Sequence, residues 1–495
     1  IFTSGNILLS VAFIHVLFTS LSAFFIYKIF NKTSGKYIAA IASSIICISL
    51  DIMFGGDSFP LYAEIAFIPF LIGTIYFLIS FTDLFGVVRS KLVPTDAITG
   101  MQKNGAGFAG FAAHLDMTPA DSDMFGLPDA DRLIQLPWKP EVGWLPSDIF
   151  LGGKIVAHGP RTVLKQVLTD AGEKGFHVKT GVECEYFILN PEGTAVADSA
   201  DIQPKPCYDQ QALMRRYDLI SEICDHMQTL EWGPYQNDHE DANGQFEMNW
   251  DYTEALTTAD RHSFFKYMTK TIAEKHGFRA TFMPKPISSL TGNGCHAHVS
   301  VWSKDGKTNL MEDTHGELGL SKLAYHFIGG LLKHAESLAA ITNPVVNSYK
   351  RINAPRTTSG ATWSPNTVTY SGNNRTHMIR IPDTDRIEVR LADGAANPYL
   401  LQAVLIGAGL WGIENKTDPG KRLDIDMYAE GHTVKNAPKL PLNLLDALRA
   451  FDNNKTMRHI LGAEFADSYV KLKMEEWNSY MQHFSEWERQ NALDV

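Results

Sequence analysis

The chain of 495 residues is too long for one ordinary core and predicts two or more domains. With 45% hydrophobic and 20% charged residues it is no disordered chain, and a net charge of −11 without a basic tract argues against a nucleic-acid partner. The five cysteines (Cys47, Cys184, Cys207, Cys224, Cys295) form no CxxC pair and lack the density of a secreted disulfide scaffold, so a reducing cytoplasm is the expected location.

Three apolar stretches open the chain: Ile7 to Phe30, Tyr37 to Phe54 and Pro60 to Phe81. The first and third reach the roughly 20 residues that a membrane helix needs. Lys28, Lys32 and Lys36 in the first connection would face the cytoplasm. No small-residue cleavage site follows a single short apolar core, which excludes a signal peptide. However, Tyr76 to Gly86 alternates and then turns, as a strand entering a hairpin does, and the same residues cannot also end a membrane helix. Residues 1–75 are therefore read as an apolar, membrane-like extension, chimeric or mistranslated. A genuine membrane anchor is the alternative, and only that alternative implies membrane association.

From Tyr76 to His158 the chain is turn-rich, with short strand-like runs between Pro94, Pro119, Pro128, Pro137, Pro140 and Pro146. Pro160 to Ala171 predicts a helix, with Val163, Leu164, Val167 and Leu168 on one stripe and Pro at its start. Tyr208 to Gln228 and Leu320 to Ile341 have helical spacing, Pro398 to Gly412 reads as a buried helix, and Asn443 to Ala450 as another. Gly462 to Gln490 carries an aromatic stripe (Tyr469, Trp477, Tyr480, Trp487) that is expected to pack in the core.

Four strand-like segments carry polar residues at every second position. In Gly181 to Leu189, Glu183 and Glu185 share one face and would repel each other unless a cation lay between them. In Gly294 to Ser300, His296, His298 and Ser300 share a face; in Arg386 to Arg390, Arg386, Glu388 and Arg390 do, with Ile387 and Val389 opposite. Asn237 to Glu247 is an acidic stretch expected to bend at Gly244 and return as a strand ending in Glu247. Singly, such patterns are more often solvated faces or charge ladders than sites. Together they supply carboxylates, imidazoles and guanidiniums, the parts a divalent-metal and phosphate site requires.

These segments resemble, in order and over essentially all of Tyr76 to Val495, the glutamine synthetase family. The matching pieces are Asp83-Leu-Phe-Gly86, Glu183-Cys-Glu185, Gly244-Gln-Phe-Glu247, Gly292-Asn-Gly-Cys-His-Ala-His298, Asn347-Ser-Tyr-Lys-Arg351, Asn374-Arg375, Arg380-Ile-Pro382, Arg386-Ile-Glu-Val-Arg390 and Ala396-Asn-Pro-Tyr399. The resemblance implies an α+β fold: a small β-grasp-like domain over 76–159, then a catalytic domain over 160–495 of curved antiparallel sheet with flanking helices. It also implies a homo-oligomeric ring with shared active sites. By the same resemblance Glu185, Glu240 and Glu247 hold one metal, and Glu183, His296 and Glu388 hold a second that bridges the ATP phosphates. The ions would be Mg²⁺ or Mn²⁺, two or three per site. His298, Ser300, Arg375, Arg380 and Arg386 fall where the family contacts ATP; Gly292, Arg351 and Arg390 fall where it grips glutamate; Arg375 and Arg351 carry the catalytic assignments. The implied reaction joins ammonia or methylamine to glutamate through γ-glutamyl phosphate.

Two departures bear on the amine. Thr357 stands six positions after Arg351, where the family has an acidic loop residue, and no Asp or Glu occurs from Arg351 to Pro382. The family's Asp-Gly-Ser-Ser segment is here Ala109 to Ala112, and Thr291 replaces an Asn. This pattern resembles the divergent branch, called type III in rhizobia, that includes γ-glutamylmethylamide synthetases, with Phe111 or Trp363 as a wall for the methyl group. The other reading keeps ammonia as substrate, with another acid such as Asp116 taking over. A non-catalytic scaffold or regulatory relative is the alternative of a different class, and it would be expected to lose metal ligands; all six candidates are present.

Overall fold

The computed structural model describes residues 74–435 and 437–495, so the reading of residues 1–75 falls outside it except for Thr74 and Ile75. The architecture is α+β, with antiparallel sheets flanked by helices. Among the described residues no helix is long and apolar enough to cross a membrane.

Two compact units emerge. One holds the described residues up to Leu78, with Leu92–Ile98 and Ile134–Trp144. Ile134 and Gln135 pair with Trp144 and Gly143, Ile75 N–H donates to Glu141 O at 2.8 Å, and Phe77, Val93, Leu136, Val142 and Trp144 are buried.

The second unit holds Ile79–Lys91, Thr99–Leu133 and Leu145–Val495. Its six-stranded sheet runs in the order Thr253–Glu254, Phe176–Cys184, Cys295–Ser303, Arg386–Val389, Ile379–Asp383, Tyr370–Ser371; only the last pairing is parallel. Its four-stranded sheet runs Pro234–His239, Gln245–Trp250, Tyr186–Leu189, Arg279–Thr281. The single strand expected over Gly181 to Leu189 is thus two strands in two sheets. The chain crosses between them at Glu185, whose N–H leaves the ladder and donates to Gly294 O at 3.1 Å. The second arm of the acidic hairpin runs on past Glu247 to Trp250, because Met248 and Trp250 also fill the core.

The helix Pro398–Glu414 is apolar all round and almost wholly buried, as such a helix must be. Pro398 opens it, and the Asn397 side chain caps it by accepting from Tyr399 N–H and Leu400 N–H. It packs against Pro160–Glu173, Ala255–Lys275 and Lys322–Thr342. At its crossing with Lys322–Thr342 a methyl on Gly412 would lie 2.6 Å from Gly330 Cα, so both positions need glycine for the backbones to touch.

Two helical expectations need correction. Tyr208 to Gln228 is two helices, Gln210–Arg215 and Tyr217–Thr229: Asp209 caps the first, Tyr208 is left-handed (φ 65°), and Arg216 breaks the run. The aromatic stripe of the C-terminal segment packs only in its first turns, where Tyr469 meets Phe451 and Phe465. The helix Ala463–Met481 then outruns the core, a Ser485–Glu488 capping box starts a new one, and Tyr480 and Trp487 are exposed.

Candidate functional site

The site is built where the two sheets meet. Register places His296 opposite Glu183, and His298 opposite Glu388, so the polar faces of three neighbouring strands coincide. Ile387 and Val389 point the other way into the core and fix that orientation. His296 Nδ1 lies 3.4 Å from Glu183 Oε2 and 3.6 Å from Glu388 Oε1, and its Nε2 lies 4.0 Å from Glu185 Oε1. His298 Nε2 lies 3.0 Å from Glu183 Oε1. The hairpin Pro234–His239/Gln245–Trp250 brings Asp238 opposite Glu247, with Glu240 two residues beyond on the same face.

Among the described residues, three groups of donor atoms at this site lie within 4.8 Å of one another: Glu183, Glu247 and His296; Glu183, His298 and Glu388; Asp238, Glu240 and Glu247. Five of the six expected ligands are in these groups. Glu185 is tied to them differently: it accepts from Gly294 N–H at 2.6 Å and Gln245 Nε2 at 3.0 Å. Asp238 was not among the expected ligands, although its spacing of two from Glu240, just past the end of the same strand, would have indicated it. Glu183 is thus shared, and His298 stands as near to it as any metal-ligand candidate does.

Charge explains why such a cluster calls for cations. Burial, then Glu185 and Asp238, push Glu240 up to about 8; burial, then Glu183, Glu240 and Glu185, push Glu247 well above the carboxylate range. Glu183 is half-buried, but hydrogen bonding with His296 and His298 outweighs the desolvation and holds it low, and Glu388, against its own burial, is held at about 2 by Arg390, His296 and His298. Arg380 Nη1 donates to Glu388 Oε2 at 2.8 Å and Arg390 Nη1 to Oε1. The donor set is oxygen-rich with one or two imidazoles, and it suits a hard divalent ion; the residues fit the implied Mg²⁺.

A cavity of about 230 Å³ adjoins Glu183, lined by His298, Ser300, Arg386, Trp302, Tyr235 and Tyr252 among others. Trp302 Nε1 donates to Ser300 Oγ at 2.8 Å, and Arg386 Nε donates to His298 Nδ1 at 3.3 Å. Three of the five residues expected at ATP therefore share one cavity. Arg380 sits beside it, on Glu388, and Arg375 is exposed on the turn leading to Arg380. Beside the carboxylate–imidazole cluster Arg351 is fully buried and donates to Leu391 O at 3.2 Å; burial lowers its pKa, opposed by Asp393 and Glu185. Gly292 and Gly294 face it. A methyl on Gly294 would lie 2.9 Å from both Arg351 Nη2 and His296 Nε2, so glycine keeps open the space among Arg351, His296 and Glu185. Gly294 is a site residue the sequence reading did not single out, although it lies inside the Gly292–His298 motif.

Thr357 is buried and its hydroxyl donates within its own loop, to Ala361 O. Trp363, from the same loop, donates Nε1–H to Asp241 Oδ2 at 2.6 Å. Asp116 is paired with Lys471 at 2.6 Å, and Phe111 is 52% exposed on a short helical turn.

The model of the glutamine synthetase catalytic domain matches residues 157–492. A protein of Rhizobium leguminosarum bv. phaseoli named glutamine synthetase is 62% identical over 420 residues, 85% of this chain and 97% of its own. One of Methyloversatilis universalis named glutamate–methylamine ligase is 42% identical over 429 residues, 85% of this chain and 96% of its own. A solved GmaS–ADP complex matches with a TM-score of 0.83 at 62% identity, covering 86% of this chain and 97% of that one. This chain belongs to the glutamine synthetase family.

Proposed function

We propose that the chain is an ATP-dependent glutamate–amine ligase. The observation that carries this is the convergence of Glu183, Glu240, Glu247, His296 and Glu388 between a cavity holding His298, Ser300 and Arg386 and a buried Arg351. A side-chain carboxylate oxygen of glutamate attacks the γ-phosphorus of ATP and ADP leaves. The amine nitrogen then attacks the acyl carbon, phosphate leaves, and the nitrogen gives up a proton. Divalent metals, held by Glu185, Glu240 and Glu247 and by Glu183, His296 and Glu388, would supply charge neutralisation on the phosphates and the carboxylate. Arg351 and Arg390 orient the α-carboxylate of glutamate, with Gly292 leaving it room. Arg375, Arg380 and Arg386 draw negative charge at the transferred phosphoryl, and His298 and Ser300 face the nucleotide.

For the amine we favour methylamine, used at least as well as ammonia. The loop after Arg351 carries no acid and turns Thr357 inward, while Trp363 brings an apolar ring to the same loop. A methyl group in a fitted pocket is worth about 1–3 kcal/mol, roughly a 10- to 200-fold preference. Side-by-side kcat/KM values for the two amines, following ADP release with glutamate, ATP and Mg²⁺, test this. An advantage for ammonia of more than about tenfold overturns it.

The same reading takes residues 76–159 as a β-grasp-like domain that completes a neighbouring subunit's site in a homo-oligomeric ring, 160–495 as the catalytic domain, and the cytoplasm as its place. Sedimentation and mixing of two inactive variants test the shared site.

A further inference from the structure

Asp241 is 7% exposed and follows Glu240 directly, its N–H donating to Glu240 Oε2 at 3.2 Å. Three donors from outside the acidic stretch converge on a single oxygen of its carboxylate. Thr291 Oγ1 lies 3.0 Å from Oδ2, Trp363 Nε1 lies 2.6 Å from it, and Ser359 Oγ also donates to it. Thr291 precedes Gly292, and Ser359 and Trp363 belong to the loop that lacks an acid. Trp363 holds a left-handed backbone (φ 52°), which a bulky residue adopts only when its surroundings impose it. The hydrogen bond from its indole to Asp241 is such a constraint. Among the described residues Asp241 Oδ1 accepts none of these bonds, so a buried anion keeps one oxygen for a further donor.

Resting on the ligase reading, we propose that Asp241 supplies the negative charge that the loop lacks: Oδ2 fastens the loop Thr357 to Trp363 over the site, and Oδ1 accepts an N–H of the alkylammonium substrate. This explains how the loop dispenses with an acid of its own. The anion stands on the rigid hairpin that also carries Glu240, and the loop contributes hydroxyl and indole donors and an aromatic ring. Thr291 fits the same arrangement, since a hydroxyl there donates to Asp241.

The test separates charge from structure by the charge of the nucleophile. Methylamine is almost wholly protonated at neutral pH, as a Lys side chain is, whereas hydroxylamine is largely neutral there and yields a γ-glutamyl hydroxamate. Wild-type enzyme must first turn over ammonia or methylamine with glutamate, ATP and Mg²⁺; failure with both removes the ligase reading, and turnover of ammonia without methylamine overturns the role given to Asp241. With that shown, Asp241→Asn should lower kcat/KM for methylamine by about tenfold or more, the effect of losing one charged hydrogen bond. Its kcat/KM for hydroxylamine and its KM for glutamate should stay within about threefold. Equal losses for both nucleophiles would make Asp241 a purely structural anchor and overturn the proposal, as would no loss for either. Should Asp241→Asn not fold, Trp363→Phe decides: it keeps the ring, removes one donor, and should raise the methylamine KM about threefold or more at constant glutamate KM. An unchanged methylamine KM would overturn the loop anchorage.

Discussion

Glu185 and Gly294 hold each other twice: Glu185 N–H donates to Gly294 O at 3.1 Å, and Gly294 N–H donates to Glu185 Oε2 at 2.6 Å. This reciprocal pair stands where the chain leaves the six-stranded sheet for the four-stranded one. It therefore fixes the site carboxylate and the junction of the two sheets together.

Gly294→Ala tests that junction. The added methyl would crowd Arg351 Nη2 and His296 Nε2 at 2.9 Å and Glu185 Oε1 at 3.1 Å. Its φ is not in the left-handed range, so alanine costs little backbone strain and the damage falls on side-chain placement. A displacement of even about 1 Å in such a constellation costs on the order of a hundredfold in rate. We expect kcat/KM for glutamate to fall at least about tenfold while the melting temperature stays within a few degrees. Wild-type kinetics in this variant would show that the space Gly294 leaves open is not used.

The packed carboxylates predict a stability that depends on metal. Glu240 and Glu247 are raised by burial and by their acidic neighbours, and a divalent ion among them replaces repulsion with attraction. Mg²⁺ at about 100 times its dissociation constant should stabilise the fold by about 2.7 kcal/mol. Scanning calorimetry in EDTA and in rising Mg²⁺ reads this. Glu247→Gln should lose most of the Mg²⁺-dependent rise; an equal rise in variant and wild type would place the ion elsewhere.

How much of this was legible in the sequence follows from periodicity. The pairs His296 with His298 and Glu388 with Arg390 were readable because a strand's period of two assigns faces without knowing its neighbours. The same rule failed at Glu185, because the chain changes sheets there and only the Gly294 backbone, about a hundred residues away, reveals it. Asp238 was within reach of that rule and was passed over in favour of Glu240. Asp241 was not readable: its three donors come from Thr291, Ser359 and Trp363, and no local pattern links them. The helices Lys322–Thr342 and Pro398–Glu414 were placed within two residues, but Ala255–Lys275 was not singled out, and the exposed end of the aromatic stripe shows that a helical period does not say where a core ends.

His334 predicts a pH effect away from the site. Burial, with a smaller contribution from Lys333, lowers its pKa from 6.5 to about 4, and Asn454 Nδ2 donates to its Nδ1 at 2.9 Å. The unfolded chain takes up a proton at this residue below about 6.5, and the folded chain resists until about 4. Stability is therefore lost as pH falls through that window and is intact above it. His334→Gln removes the titration, so the difference in melting temperature between wild type and variant should narrow from neutral to mildly acidic pH. A difference that stays constant across the window would mean that His334 titrates alike in both states.

The last prediction concerns Arg161, a guanidinium 5% exposed at the start of the helix Pro160–Glu173. Its Nη2 lies 2.7 Å from Asp129 Oδ2, its Nη1 2.8 Å from Asp148 Oδ1, and its Nε 3.2 Å from Asp260 Oδ1. Asp260 also accepts from Tyr399 OH at 2.7 Å, so the cation ties the first turn of this helix to the base of the buried helix Pro398–Glu414. Three carboxylates on one cation leave excess negative charge when the cation goes, and the cost is then set by the stranded acids rather than by the lost attraction. Arg161→Met, which keeps much of the volume, should destabilise by about 3–5 kcal/mol. Adding Asp260→Asn to it should recover part of that loss, because it removes the most buried of the stranded charges. None of these residues belongs to the carboxylate–imidazole cluster, so kcat of the folded variant should stay within about threefold of wild type. Denaturant titration of the single and double variants checks this, and a double variant no more stable than Arg161→Met would show that stranded charge is not what the substitution costs.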